Sequence, residues 1–218
     1  MTNPWTHETT EFLTELPTLS SDEFKAMKKR YTSVLADPVK ELVTDLLPHL
    51  HADVSAGVIG AAKTNGSIAP INNDLRFNPD ATPYKDHVML RFWEGPAKRV
   101  APMLMVHVAP TRVGFASGIV PVDVGIWREA VDERGEELAA AIDELATATG
   151  ADVVGEELKR TPKPYDDDHP QAALLRHKML QVRWILDAVP HEVDLVEFCA
   201  TELGRTKRLH AELVRLFV

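Results

Sequence analysis

Val88-Met89-Leu90-Arg91-Phe92-Trp93 decides how this chain is read. Its apolar residues alternate, which is the period of a strand: Val88, Leu90 and Phe92 face one way and Met89, Arg91 and Trp93 the other. Met103 to Val108 repeats the pattern as a second strand. Ala109-Pro110-Thr111-Arg112 is a turn, and Val113 to Val120 is a third strand, antiparallel to the second. Val54 to Lys63, small and apolar, is a candidate fourth. An antiparallel meander of this kind has one face on helices and one nearer solvent. His107, alternating with Met103 and Met105, falls on the face shared with Arg91 and Trp93. That face could line a pocket, although a partly buried, hydrogen-bonded histidine is the more frequent outcome.

The period is helical on either side. Thr9 to Leu16 forms a short helix, and Ser20 with Glu23 makes a capping box for the next. Phe24, Met27, Tyr31 and Leu35 follow at helical spacing. Asp37-Pro38 signals another start, of a helix burying Val39, Leu42, Val43, Leu46 and Leu47, with Pro48 weakening its end. Beyond the strands a helix runs from Asp123 to Gly150, with Gly135 as a break. Ala151 to Leu158 holds a short strand pair. Pro170 opens a helix carrying Leu174, Leu175, Met179, Val182, Ile185 and Leu186. Two helical segments, around Leu195 to Leu203 and Arg205 to Phe217, finish the chain. Helices, then strands, then helices predict an α+β protein: a central antiparallel sheet of about four to six strands packed by N-terminal and C-terminal helices. No linker divides residues 1–218, so one domain is expected.

Composition narrows the function classes. The chain has 218 residues, 24 Lys+Arg against 33 Asp+Glu, and a formal charge of −9. That balance argues against nucleic acid, which needs a basic surface, though a local basic patch could still bind an anion. No apolar run approaches the ~20 residues needed to span a bilayer. The first residues lack a basic region followed by an apolar core, so no signal peptide is expected and the chain reads as cytoplasmic. The single cysteine, Cys199, lies in an apolar run and reads as a small buried hydrophobe.

Two loops concentrate polar chemistry. The first is Asn73-Asp74-Leu75-Arg76-Phe77-Asn78-Pro79-Asp80-Ala81-Thr82-Pro83-Tyr84-Lys85. Arg76, Lys85 and the Tyr84 hydroxyl could hold a phosphate or carboxylate, with Asp74 and Asp80 orienting the cations or acting as acid and base. A structural ion-pair network anchoring the loop is the competing and slightly favoured reading. The second loop, Lys159 to Pro170, carries Arg160, Lys163, Tyr165, Asp168 and His169. Asp168 or His169 would cap the helix after Pro170. The Asp166-Asp167-Asp168-His169 run hints at a metal, but adjacent loop residues rarely point at one ion, so no metal site and no cofactor are expected.

The two loops, in this order and separated by a hairpin and a long helix, resemble domain of unknown function family 2461, small bacterial and fungal proteins. Asp74, Arg76, Phe77, Asp80, Pro83, Tyr84 and Lys85 match the family's first motif. Leu158, Lys159, Arg160, Pro162, Tyr165, His169 and Pro170 match its second. Asn73 and Ala81 stand where the family usually has cations. The resemblance implies a fold and a shared surface, and no activity.

Two functions follow as expectations. The favoured one is a non-catalytic binding or interaction protein whose partners use an exposed helix or the free sheet face. The alternative is an enzyme or binder acting on a small anionic, phosphate- or carboxylate-bearing metabolite. It would use Asp74, Arg76, Asp80, Tyr84 and Lys85, joined by Arg160, Lys163, Tyr165 and His169, and it requires both loops to meet at one pocket. Oligomeric state is not legible.

Overall fold

The computed structural model describes residues 3–76, 80–120 and 124–217. Phe77, Asn78 and Pro79 of the first loop, the helix start at Asp123 and the Phe217 side chain lie outside the described residues. The chain opens with α1 (His7–Glu15), α2 (Ser21–Ala26), α3 (Lys28–Tyr31) and α4 (Asp37–Asp53). The capping box at Ser20 forms as the sequence predicts: Ser20 accepts from the Glu23 amide and the Glu23 carboxylate accepts from the Ser20 amide. Asp37-Pro38 opens α4 as the sequence predicts, with Pro38 in its first turn. A π-turn over Thr32–Ala36 carries α3 into α4, at the point where Pro38 has no amide to donate.

The strands are β1 (Val88–Trp93), β2 (Pro102–Ala109) and β3 (Arg112–Ile119), as the alternation predicts within one or two residues. Then come α5 (Val124–Thr149), β4 (Asp152–Val154), α6 (Ala172–Leu175), β5 (Leu180–Asp187), α7 (Leu195–Gly204) and α8 (Lys207–Phe217). All pairings are antiparallel, in the order β1-β2-β3-β5-β4. The protein is α+β.

Three expected elements differ. Ala151 to Leu158 supplies the single strand β4, paired with β5, rather than a strand pair of its own. Val54 to Lys63 is not a strand: Ile59 makes one isolated bridge to Trp93. The helix expected after Pro170 lasts four residues and gives way to β5. Leu174, Leu175, Met179, Val182 and Ile185 fit helical spacing, but Leu180, Val182 and Trp184 are the buried set, at period two. Cross-strand pairing with β3 outweighs the local helical spacing. α5 bends at Arg134 (φ −138°, ψ 20°), beside the expected break at Gly135.

One apolar core fills the space between the helices and one sheet face. Val88, Leu90, Phe92, Leu104, Val106, Val113, Val182 and Trp184 meet Phe12, Leu42, Leu46, Trp127, Leu138, Leu203 and Leu213 there. Trp127 is fully buried and donates from Nε1 to the Leu174 carbonyl at 2.7 Å, tying α5 to α6. Cys199 is buried as expected, and burial pushes its thiol pKa up. The other sheet face carries a separate small cluster, Met103, Met105 and Ala116 with Met89 and Trp93, which contains no helix residue. Among the described residues no helix is long and apolar enough to cross a membrane.

Candidate functional site

The two polar loops occupy diagonally opposite corners of the sheet. The first leads into the start of β1, whose Val88 lies in the row Val88-Val108-Val113-Leu186. The second leaves β4 and returns to the start of β5, where Val154 pairs with Gln181 in the row of Trp93, Met103 and Gly118. Three to four strand spacings across and five residues along put these two strand ends more than about 20 Å apart, and the loops beyond them pack on different helices, Tyr84 against Phe24 of α2 and His169 against Asp132 of α5. The structure does not bring the nine residues together as one site.

Several described polar groups of the first loop bond within it or to the residues just before it. Asn72 bridges to Tyr84, the Asn73 amide donates to the Pro83 carbonyl, and Asn73 Nδ2 donates to the Thr82 carbonyl. Arg76 donates to both Asp74 oxygens, at 2.9 and 2.6 Å, and this holds the Asp74 carboxyl below its usual range. Tyr84 is buried with its ring 4.5 Å from Phe24, so its role is packing. Lys85 Nζ donates to the Pro70 carbonyl at 2.5 Å. Asp80 is exposed.

The second loop packs on α5. His169 Nδ1 accepts from the Gln171 amide at 3.0 Å, which leaves Nε2 to donate to Asp132 at 3.2 Å. Gln171 is the N-cap residue of α6 with no side-chain cap, so neither Asp168 nor His169 caps it. The Tyr165 ring sits 5.3 Å from His169, and burial followed by the Asp132 charge pushes its phenol pKa up. Arg160 and Lys163 are exposed. A groove of about 680 Å³ beside His169 is lined by Asp132, Glu133, Glu136 and Glu137, so it is acidic. Among the described residues no cluster of His, Cys, Asp and Glu is arranged to hold a metal.

The open sheet face is different. Two rows cross it side by side: Arg91-Met105-Ala116-Arg183 and Met89-His107-Gly114-Ile185. Arg112 lies two residues along β3 from Gly114. These residues line a concave pocket of about 380 Å³ with Gln181. Its lining holds three arginines and a histidine, and no acidic residue. Asp152 and Asp187 stand opposite Arg183 and Arg112 in the register without forming an ion pair. Among the described residues none of the three guanidinium groups has a hydrogen-bond or ion-pair partner. The positive field extends along β1: burial and then the Arg91 charge push the ammonium groups of Lys85 and Lys98 down.

His107 lines this pocket, stacked on His87 with ring centroids 4.1 Å apart. Burial, then the charges of His87 and Arg112, push its pKa down to about 4, so it is neutral at pH 7. The face shared by Arg91, Trp93, Met103, Met105 and His107 is legible in the alternating sequence. Arg112, Gln181 and Arg183 are the residues that sequence reasoning missed. Alternation in Leu180-Gln181-Val182-Arg183-Trp184 is the signal that would have found two of them.

Fold and site define an α+β protein with helices on one sheet face and a cationic, apolar-floored pocket on the other. The chain belongs to the family described as Conserved hypothetical protein (DUF2461), whose model matches residues 8–210. No curated protein and no solved structure matches it.

Proposed function

We propose that the protein is a non-catalytic binding protein that takes a small anionic molecule on the open face of its sheet. One observation carries this reading. A chain of formal charge −9 gathers around one pocket three arginines that have no ion-pair or hydrogen-bond partner among the described residues, and no carboxylate is among the residues lining it. An anion placed there gains charge-assisted hydrogen bonds without displacing an existing partner. The same charge pattern disfavours self-association through this face, because a two-fold contact would set arginines against arginines. Binding is favoured over catalysis because the lining contains no serine, cysteine, lysine, tyrosine or carboxylate beside His107. A cytoplasmic setting is consistent with the single, buried cysteine.

The test is a thermal-shift screen against phosphorylated and carboxylated small molecules, nucleotides included. A ligand at ~100 times its dissociation constant adds about 2.7 kcal/mol of stability. A hit lost in Arg183→Ala and kept in Arg76→Ala supports the sheet-face site. A hit lost in Arg76→Ala and kept in Arg183→Ala would move the site to the first loop and sink this reading.

A further inference from the structure

Resting on the anion-binding reading, we infer that the ligand of the sheet-face pocket is a small phosphomonoester with a compact apolar body. The first argument is the number and direction of the cations. Arg91 and Arg183 reach in from strands on either side of the same row, about 14 Å apart at three strand spacings. Arg112 approaches along β3, at right angles to that line. A carboxylate is planar and is satisfied by one guanidinium fork in its own plane. Bound here, it would leave most of the site's positive charge uncompensated. A phosphomonoester offers three terminal oxygens and a charge of about −1.5 to −2 at neutral pH, which suits donors from three directions.

The second argument is the floor. Ala116 and Gly114 lie between the arginines, so β3 presents almost no side chain where the phosphoryl group would sit. A Cβ built at Gly114 meets nothing closer than 3.5 Å, so this glycine is not required by backbone packing. The space it leaves belongs to the pocket. The third argument is the apolar wall. Ile185 is 61% exposed, more than any other large hydrophobic residue among those described, and it stands in the row of Gly114. Met89 closes the opposite end of that row. A ligand body lying across them would cover apolar surface that the fold leaves wet. The volume of about 380 Å³ suits a body of about one ring.

The experiment is calorimetric titration at pH 8 with phenyl phosphate, benzoate, phthalate and inorganic phosphate. Phenyl phosphate is expected to bind at least about tenfold more tightly than the other three, since each lost charge-assisted bond or apolar contact costs on that order. Benzoate or phthalate binding as tightly would overturn the phosphomonoester assignment and leave the anion reading standing. Inorganic phosphate binding as tightly would overturn the apolar body. Silence from all four would overturn both readings. Gly114→Val keeps every arginine and suits a strand, and it is expected to abolish phenyl phosphate binding by filling the floor. Arg183→Ala, an exposed position, serves as the second variant should Gly114→Val misfold. Wild-type affinity in either folded variant would overturn the site.

Discussion

Arg91 on β1 and Arg183 on β5 stand in one cross-strand row with Met105 and Ala116 between them. Among the described residues neither forms an ion pair, although Asp152 stands opposite Arg183, and both are exposed, so neither holds the fold together. Replacing either by Ala is therefore expected to change stability by no more than about 0.5 kcal/mol, as at ordinary surface positions. Affinity for an anion should fall in both, and the double variant should lose less than the sum of the singles, because one bound group connects them. Additive losses would mean that the two arginines act on different ligands or at different places. Denaturant melts and titrations of the two single variants and the double variant decide it.

Glycines on β3 make a sharper contrast. A Cβ at Gly118 would fall well inside the Leu180 carbonyl and the Gln181 backbone, which cannot give way without parting β3 from β5. Gly118→Ala should cost about 1–3 kcal/mol, the usual range for overpacking. Gly114→Ala, facing the pocket, should be close to neutral. Equal midpoints in urea for the two variants would contradict the proposed difference between a packing glycine and a pocket glycine.

Acid should weaken the fold through His107. Its pKa in the folded chain lies at about 4, below the ordinary histidine value of 6.5, so the unfolded chain takes up its proton first. The stability it contributes is present above about pH 6.5 and is lost as pH falls towards 4. Burial shifts His177 and His210 in the same direction, so the wild-type slope contains all three. His107→Gln should flatten the fall between pH 7 and pH 4.5 without removing it. An unchanged slope would place the His107 ring in a more solvated setting than its stack on His87 implies.

The buried His210 on α8 pairs with the half-buried Glu94 at the end of β1, at 3.0 Å. The His210 side chain is wholly inaccessible and its Nδ1 has no partner, so Glu94 is its one anchor among the described residues. Glu94→Ala should cost about 1–3 kcal/mol, the desolvation penalty of an orphaned polar group. Glu94→Gln, which can still accept from Nε2, should recover much of it. Equal losses for the two would point to packing rather than to the hydrogen bond.

Much of this architecture can be read in the residues. Val88–Trp93 is a short apolar run broken by Arg91, and its length and its β-branched and aromatic residues favour a strand over a helix. The capping box at Ser20 is equally local. β5 is hidden because Leu174, Leu175, Met179 and Val182 also fit a helix, and only pairing with β3 selects the strand. That misreading puts Arg183 on a helix and hides one wall of the pocket. The two polar loops mislead for another reason: their residue types suit a ligand, but the sheet order carries them to opposite corners. Nothing local encodes that separation.

The first loop supplies the last prediction. The Arg76 side chain is 81% exposed, where even a formed ion pair adds little stability, so Arg76→Ala should shift the melting temperature little. Tyr84 is buried against Phe24, and Tyr84→Ala should cost about 3 kcal/mol, as for other buried aromatic rings. If the loop is a strut, Tyr84 governs stability and Arg76 governs nothing that a thermal melt or an anion titration reads. If the loop is a binding site, Arg76→Ala melts like the wild type and yet fails to bind. Measuring the melt and the titration on the same Arg76→Ala sample separates the two, because only the site reading lets affinity fall while stability holds.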